Sequence, residues 1–288
     1  MYSPNFDYFC ARSLADAQAL LAAHPGAKLL AGGHSLVPLL KLRLAAPAAV
    51  VDIRRVPELK GITRQDDTIR IGALTTHAEL AASVEVRMAA RAVTDAASQV
   101  GDPAVRNRGT IGGNVSHADP ASDLPTVLVA LNAHMRASGP KGERSIAASE
   151  FFTGIMTTAL GDDEILTAIE IPVAGRGEGS AYEKFSHPAS RYAVLGAAAA
   201  ITLADGKCTD VRVAVGGLVP HARRMPSVER ALNGRGPSEE VVRDAARRAA
   251  TDLGADTIGD LYASAEYRAS VAPVYIKRAI LTAAGRAR

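Results

Sequence analysis

Two Gly-Gly pairs, each set among small polar residues and followed by a helix-like run, constrain this chain more than any other feature. One lies in Gly101–Leu131, GDPAVRNRGTIGGNVSHADPASDLPTVLVAL. Gly112 and Gly113 allow the backbone to turn with N–H groups exposed on one side. Ser122 and Asp123 read as the entry to a helix carrying the apolar run Val127–Leu131. The other pair lies in LLAGGHSLVPLLKLRL, Leu29–Leu44. Here an apolar strand ends at Ala31, turns through Gly32 and Gly33, and enters a helix capped by Ser35. Free amides beside a helix start favour an anion, most often a phosphate. A single Gly-Gly is more often a plain turn. Repetition of the whole plan predicts one ligand with two phosphates held between two loops.

The surrounding text supplies a scaffold. A helix is predicted over Ser13–His24, with Ser13 as N-cap and Pro25-Gly26 as its stop. Strands at Lys28–Ala31 and Ala48–Ile53 flank the helix Ser35–Leu44, a compact parallel βαβ-like unit. Thr68–Ala73 and Glu164–Ile171 alternate as half-buried strands. Thr75-Thr76 cap a short helix through Leu80, and Ser83 starts a longer Ala-rich helix to about Val100. His134–Ser138 is a strand before the turn Gly139–Gly142. Val173–Gly179 (VAGRGEG) reads as a linker. Beyond it lie strands at Ser180–Ser186, Leu195–Ala204 and Cys208–Leu218, the last two joined by Asp205-Gly206, a hairpin signal. Helices follow over Ser227–Leu232, Ser238–Leu253 and Glu266–Ala284. A meander followed by helices predicts an α+β arrangement.

Several chemistries are disfavoured. Neither loop has the G-x-G-x-x-G of a Rossmann fold or the G-K-[ST] of a P-loop. The two cysteines, Cys10 and Cys208, lack metal spacing, so a disulfide framework or an iron–sulfur cluster within the chain is not expected. A net charge of +3 with scattered basic residues does not support nucleic-acid binding. No apolar run approaches the roughly 20 residues of a membrane span, and MYSPNFDYFCARS carries no signal pattern. A cytoplasmic protein is expected, with peripheral contact at the inner membrane face left open. His34 is either a base or ligand, or a packing and hydrogen-bonding group beside the phosphates. His117 and Asp119 resemble a dyad on paper but lack a nucleophile motif. Asp123 is a helix cap, a contact to a ligand hydroxyl, or both. Lys184 is either a solvated charge or a stabiliser of negative charge on an electron-accepting ring. Tyr192 is either core or lies against such a ring.

At these residues the chain resembles a known family. Ala31-Gly32-Gly33-His34-Ser35 and Thr110-Ile111-Gly112-Gly113-Asn114 are similar to the two FAD-diphosphate motifs in the medium, flavoprotein subunits of molybdenum hydroxylases, the xanthine dehydrogenase family, in particular its carbon monoxide dehydrogenase branch. The likeness extends through the opening F-D-Y, KLRLAAPAAVVDI, DPAVRNRGTIGGN and EILTAIEIP. It implies an FAD-binding region over residues 1–175, in two small α+β subdomains of about 1–55 and 56–175. A C-terminal domain of three antiparallel strands packed with helices is implied over 176–288. It also implies FAD with its diphosphate on Ala31–Leu36 and Thr110–Asn114, and Asp123 on the hydroxylated chain. Ile165 and Leu166 would lie near the flavin edge, Lys184 at its pyrimidine end, and Tyr192 against the ring. The implied role is electron transfer, with no catalytic residue and no metal in this chain. The implied partners are a large molybdopterin subunit and a small subunit with [2Fe–2S] clusters, in a dimer of heterotrimers. A stand-alone FAD-dependent oxidoreductase of the same fold is the alternative. The segment Lys184-Phe185-Ser186-His187-Pro188-Ala189-Ser190-Arg191-Tyr192 departs from the pattern of the carbon monoxide branch, which carries more basic residues after the lysine and an acidic residue before the tyrosine.

Overall fold

The computed structural model describes residues 2–287. Near the N-terminus, Asp7–Cys10, Ala49–Asp52 and Lys28–Leu30 form a three-stranded parallel sheet with Ala49–Asp52 in the middle. Parallel neighbours need crossovers, and the helices Leu14–Ala23 and Leu36–Lys41 provide them. Ser13 caps the first of these, accepting the Asp16 N–H at 3.1 Å. The expected βαβ unit is therefore present, with Asp7–Cys10 added as an unforeseen edge. Ser35 precedes the second helix but makes no side-chain cap bond, and that helix ends at Lys41 rather than Leu44.

A five-stranded antiparallel sheet follows, in the order Ile62–Gln65, Thr68–Gly72, Ile165–Pro172, His134–Gly139, Gly142–Ala147. Its central strand, Ile165–Pro172, matches the EILTAIEIP text. The predicted long helix from Ser83 to Val100 is instead two, Val84–Ala89 and Arg91–Gln99, after the short His77–Ala82. Ala90 leaves helical geometry at φ −154°, ψ 71°. Distant partners make the break tolerable: the Ala89 carbonyl accepts from Ala174 N–H, and the Ala92 N–H donates to the Ser180 hydroxyl. Those partners lie far along the chain, so local propensity gave no sign of them.

The C-terminal sheet has four strands where three were expected: Glu178–Ser186, Ala193–Ala204, Lys207–Gly216 and the two-residue Arg223–Arg224. Asp205 and Gly206, at φ +50° and +72°, form the expected two-residue hairpin turn. The strand Ala193–Ala204 is buried on both faces over most of its length. Ala198 and Ala200 join the core shared with the five-stranded sheet, while Ala197, Ala199 and Ile201 join a second core under the C-terminal helices. The helix Ala265–Arg286 packs across this sheet, so tightly that a Cβ on Gly179 would strike the Ala283 carbonyl oxygen. The helix predicted over Ser238–Leu253 divides into Glu239–Ala246 and Ala249–Leu253. The supposed linker is pinned at its start: Val173 N–H donates to the Asp67 carbonyl and Ala174 N–H to the Ala89 carbonyl. No helix among the described residues is long and apolar enough to cross a membrane.

Candidate functional site

A cleft of about 810 Å³ runs between the parallel sheet and the five-stranded sheet, within the range of small-molecule and cofactor sites. Ala31–Leu36 form one wall; Thr110, Gly112, Gly113 and Asn114 form the facing one. Asp123, Ile165, Leu166 and Tyr192 line it further along. Of the residues expected at the site, two are not brought to this surface. Ile111 is fully buried in the core, and its N–H donates to the Thr75 carbonyl. Lys184 lies behind the wall, and its ammonium is held by Asp123 and the Gln99 carbonyl.

The two glycines of each pair have different duties. Gly32 abuts the Arg108 carbonyl so closely that a Cβ cannot fit, and a Cβ on Gly112 would lie 2.5 Å from that of Ala73. These first glycines let backbone pack on backbone. Gly33 adopts φ +77°, a left-handed conformation that glycine takes without penalty. A Cβ on Gly113 would lie 3.8 Å from the Ala31 side chain, so the two segments meet here.

Their amides also differ. Among the described residues, no protein acceptor takes the N–H of Gly33, His34, Ser35 or Leu36. The second segment is not the open bend that its sequence suggests. Gly112 and Gly113 sit in the first turn of the helix Ile111–His117. Gly112 N–H donates to the Ala73 carbonyl, Gly113 N–H to the Thr110 hydroxyl at 3.1 Å, and Asn114 N–H to the Thr110 carbonyl. Its side chains are less fully occupied. Asn114 donates through Nδ2 to the Ser122 hydroxyl at 3.1 Å, while its buried Oδ1 has no partner.

Asp123 opens the helix Asp123–Ala130 but does not cap it. Its carboxylate accepts from the Tyr182 hydroxyl at 2.6 Å and from Lys184 Nζ at 2.9 Å. Lys184 also donates to the Gln99 carbonyl. Burial pushes the Asp123 carboxyl up, with Lys184 and Tyr182 pulling against it. Burial and the neighbouring Asp123 raise the Tyr182 phenol well above its ordinary range, keeping it a donor. Tyr192 stands half-exposed at the cleft edge, its phenol raised by burial and by Asp119 and Asp123.

His34 turns Nδ1 to the Gly32 carbonyl at 3.1 Å. Among the described residues no cluster of His, Cys, Asp or Glu could hold a metal. The paper dyad does not form: Asp119 accepts from the Ala121 N–H, closing a turn. His77 escaped the sequence reading. It opens its helix behind Thr76, whose capping box with Glu79 is written in TTHAE. The His77 ring fills the space beside Gly109, and burial, with His34 and Arg106 nearby, lowers its pKa to about 4. Its Nδ1 is buried without a partner.

A family model described as the FAD binding domain in molybdopterin dehydrogenase matches residues 4–174, and one described as the CO dehydrogenase flavoprotein C-terminal domain matches residues 180–283. The chain belongs to the FAD-binding medium subunits of the molybdenum hydroxylases. It is 37% identical to the carbon monoxide dehydrogenase medium chain of Hydrogenophaga pseudoflava, with 99% of each chain covered. It is 39% identical to the 6-hydroxypseudooxynicotine dehydrogenase complex subunit alpha of Paenarthrobacter nicotinovorans, covering 100% of this chain and 97% of that one. Among solved structures, the carbon monoxide dehydrogenase of H. pseudoflava lacking the Mo-pyranopterin moiety aligns over all of both chains, with a TM-score of 0.95 at 38% identity. Quinoline 2-oxidoreductase from Pseudomonas putida 86 aligns over 99% of both, with a TM-score of 0.93 at 32% identity. This medium subunit is thus an oxidoreductase flavoprotein component, and FAD is its cofactor. The cleft fits that cofactor on its own evidence: free amides on one wall, and on the other a glycine surface beside the unpartnered Asn114 Oδ1.

Proposed function

We propose that this medium subunit relays electrons in a multi-subunit molybdenum hydroxylase, from [2Fe–2S] clusters of a small partner chain to FAD and on to an external acceptor. Substrate oxidation belongs to a large molybdopterin-bearing chain, and the three chains assemble as a dimer of heterotrimers. Residues 1–175 are read as the FAD-binding region and 176–288 as the closing domain. The observation that carries the reading is the meeting of Gly33 and Gly113 across one cleft, with the free amides of Gly33–Leu36 on one side.

In this reading those amides hold the diphosphate, and Gly113 lets it approach without a side chain between. Asn114 Oδ1 and Asp123 face the hydroxylated chain of the cofactor. Ile165 and Leu166 exclude water along one edge of the ring, and Tyr192 covers a face. Lys184 acts at one remove, fixing the charge and direction of the Asp123 carboxylate. When bound, FAD supplies the ability to accept and release electrons singly or in pairs.

The test is to express the chain alone and together with its co-purifying partners. The assembled complex is expected to carry FAD, and substrate is expected to bleach the flavin absorbance only when the partner chains are present. Turnover of that substrate by the isolated chain would identify a stand-alone FAD oxidoreductase instead. Absence of FAD from both preparations would overturn the reading outright.

A further inference from the structure

We infer that His187 is a positioning residue for the cleft: its imidazole gathers the turn that presents Tyr192, an inference resting on the reading of Tyr192 as a cover for the flavin. His187 directly follows the strand Glu178–Ser186. Its N–H donates to the Tyr192 carbonyl at 2.8 Å, and its carbonyl accepts the Arg191 N–H at 2.9 Å. The excursion from 188 to 191 is thereby closed at its base on one residue. Inside it, Nδ1 of His187 accepts the Ala189 N–H at 3.3 Å and the Ser190 N–H at 3.2 Å, with the Ser190 hydroxyl also 3.2 Å away. Accepting two amides requires Nδ1 without a proton, so the tautomer carries its hydrogen on Nε2.

The ring is itself fixed from outside the turn. It stands edge-on to Tyr262, with centroids 4.5 Å apart at 65°. The Tyr262 N–H donates to Asp260, which pairs with Arg268; Arg268 in turn donates to the carbonyls of Val194 and Gly217. The imidazole is therefore referenced to the strand on which Tyr192 continues. Downstream of Tyr192, Ala193 N–H donates to the Ala121 carbonyl at 3.0 Å, close to Asp123. Between these two anchors Arg191 is left-handed at φ +59°, a conformation that a side-chain-bearing residue leaves unless held. Ser190, Arg191 and Tyr192 all line the cleft.

Packing against Tyr262 alone would need only a flat ring; the two amides need an acceptor at the Nδ1 position. This difference sets the experiment, done on the assembled complex. His187→Phe keeps the ring and removes the acceptor. His187→Asn removes the ring and keeps an acceptor, since Asn Oδ1 sits where Nδ1 did and commonly takes amides two and three residues on. In His187→Phe, FAD is expected to dissociate about tenfold faster, and its fluorescence, quenched by Tyr192, to rise several-fold. His187→Asn, which loses only the Tyr262 contact, is expected to stay within about twofold of the parent in both. An Asn variant as bright and leaky as the Phe variant would overturn the inference, as would a Phe variant indistinguishable from the parent. If Phe blocks assembly, the Asn variant alone decides, because only a role for the acceptor predicts its normal quenching. A parent complex devoid of FAD would instead overturn the functional reading, a separate outcome read before any variant is made.

Discussion

The ammonium of Lys184 lies 2.9 Å from the carboxylate of Asp123, with none of the lysine side chain open to solvent. Each charge is tolerable in the interior only because of the other. Lys184→Met leaves a buried carboxylate with Tyr182 as its remaining partner, and should cost about 3–5 kcal/mol. Asp123→Leu should cost a similar amount. The double variant should lose clearly less than the sum, because it strands neither charge. Denaturant unfolding of the four proteins measures this. Strict additivity would show that the pair is not coupled.

Gly112 and Gly113 are neighbours in sequence and should behave oppositely. Gly112→Ala forces a methyl against Ala73 and should lower stability by about 1–3 kcal/mol. Gly113→Val projects toward the cleft, 2.9 Å from the Thr110 hydroxyl and 3.8 Å from Ala31. It should cost only about 1 kcal/mol, through the disturbed Thr110 cap, yet abolish FAD uptake. Unfolding curves and flavin content of the same two preparations separate the effects. Full FAD occupancy in Gly113→Val would displace the diphosphate from this wall.

That contrast marks where sequence reading stops. The turn at Gly33, the Ser13 cap and the Asp205-Gly206 hairpin were legible because each is a local demand on φ and ψ. Which glycine faces a ligand was not legible, since the neighbours of Gly32 and Gly112 are Arg108 and Ala73, set by tertiary contact. The same holds for the break at Ala90, whose stabilising partners are Ala174 and Ser180. The pairing of Lys184 was not legible either, because a strand lysine carries no sign that a carboxylate at Asp123 neutralises it. The role of His187 was not legible, because only the fold shows its Nδ1 collecting two amides.

Acid should weaken the fold in a window belonging to His77. Its pKa falls to about 4 in the folded chain, mainly through burial and then through His34 and Arg106, against an ordinary 6.5. A depressed folded value means that stability is fully present above pH 6.5 and is lost as the pH falls toward about 4. The whole loss is about 3 kcal/mol. His77→Gln, which cannot titrate, should show a flatter profile across that window. Denaturant midpoints from neutral pH down to about pH 4 provide the comparison; parallel profiles would mean that His77 is not protonated on unfolding.

The strand Ala193–Ala204 has alanines on both sides, some facing the cleft-bearing half and some the C-terminal helices. It is a party wall, one residue thick, rather than a hinge between modules. Severing the chain near residue 175 would leave one half without its partition and the other with a bare apolar flank, so neither piece should survive alone. An extra methyl at Ala198 would press on the room that holds the five-stranded sheet, and one at Ala199 on the room under the C-terminal helices. The surface that carries Tyr192 is thus surveyed from the far side of the molecule as well as from the near one.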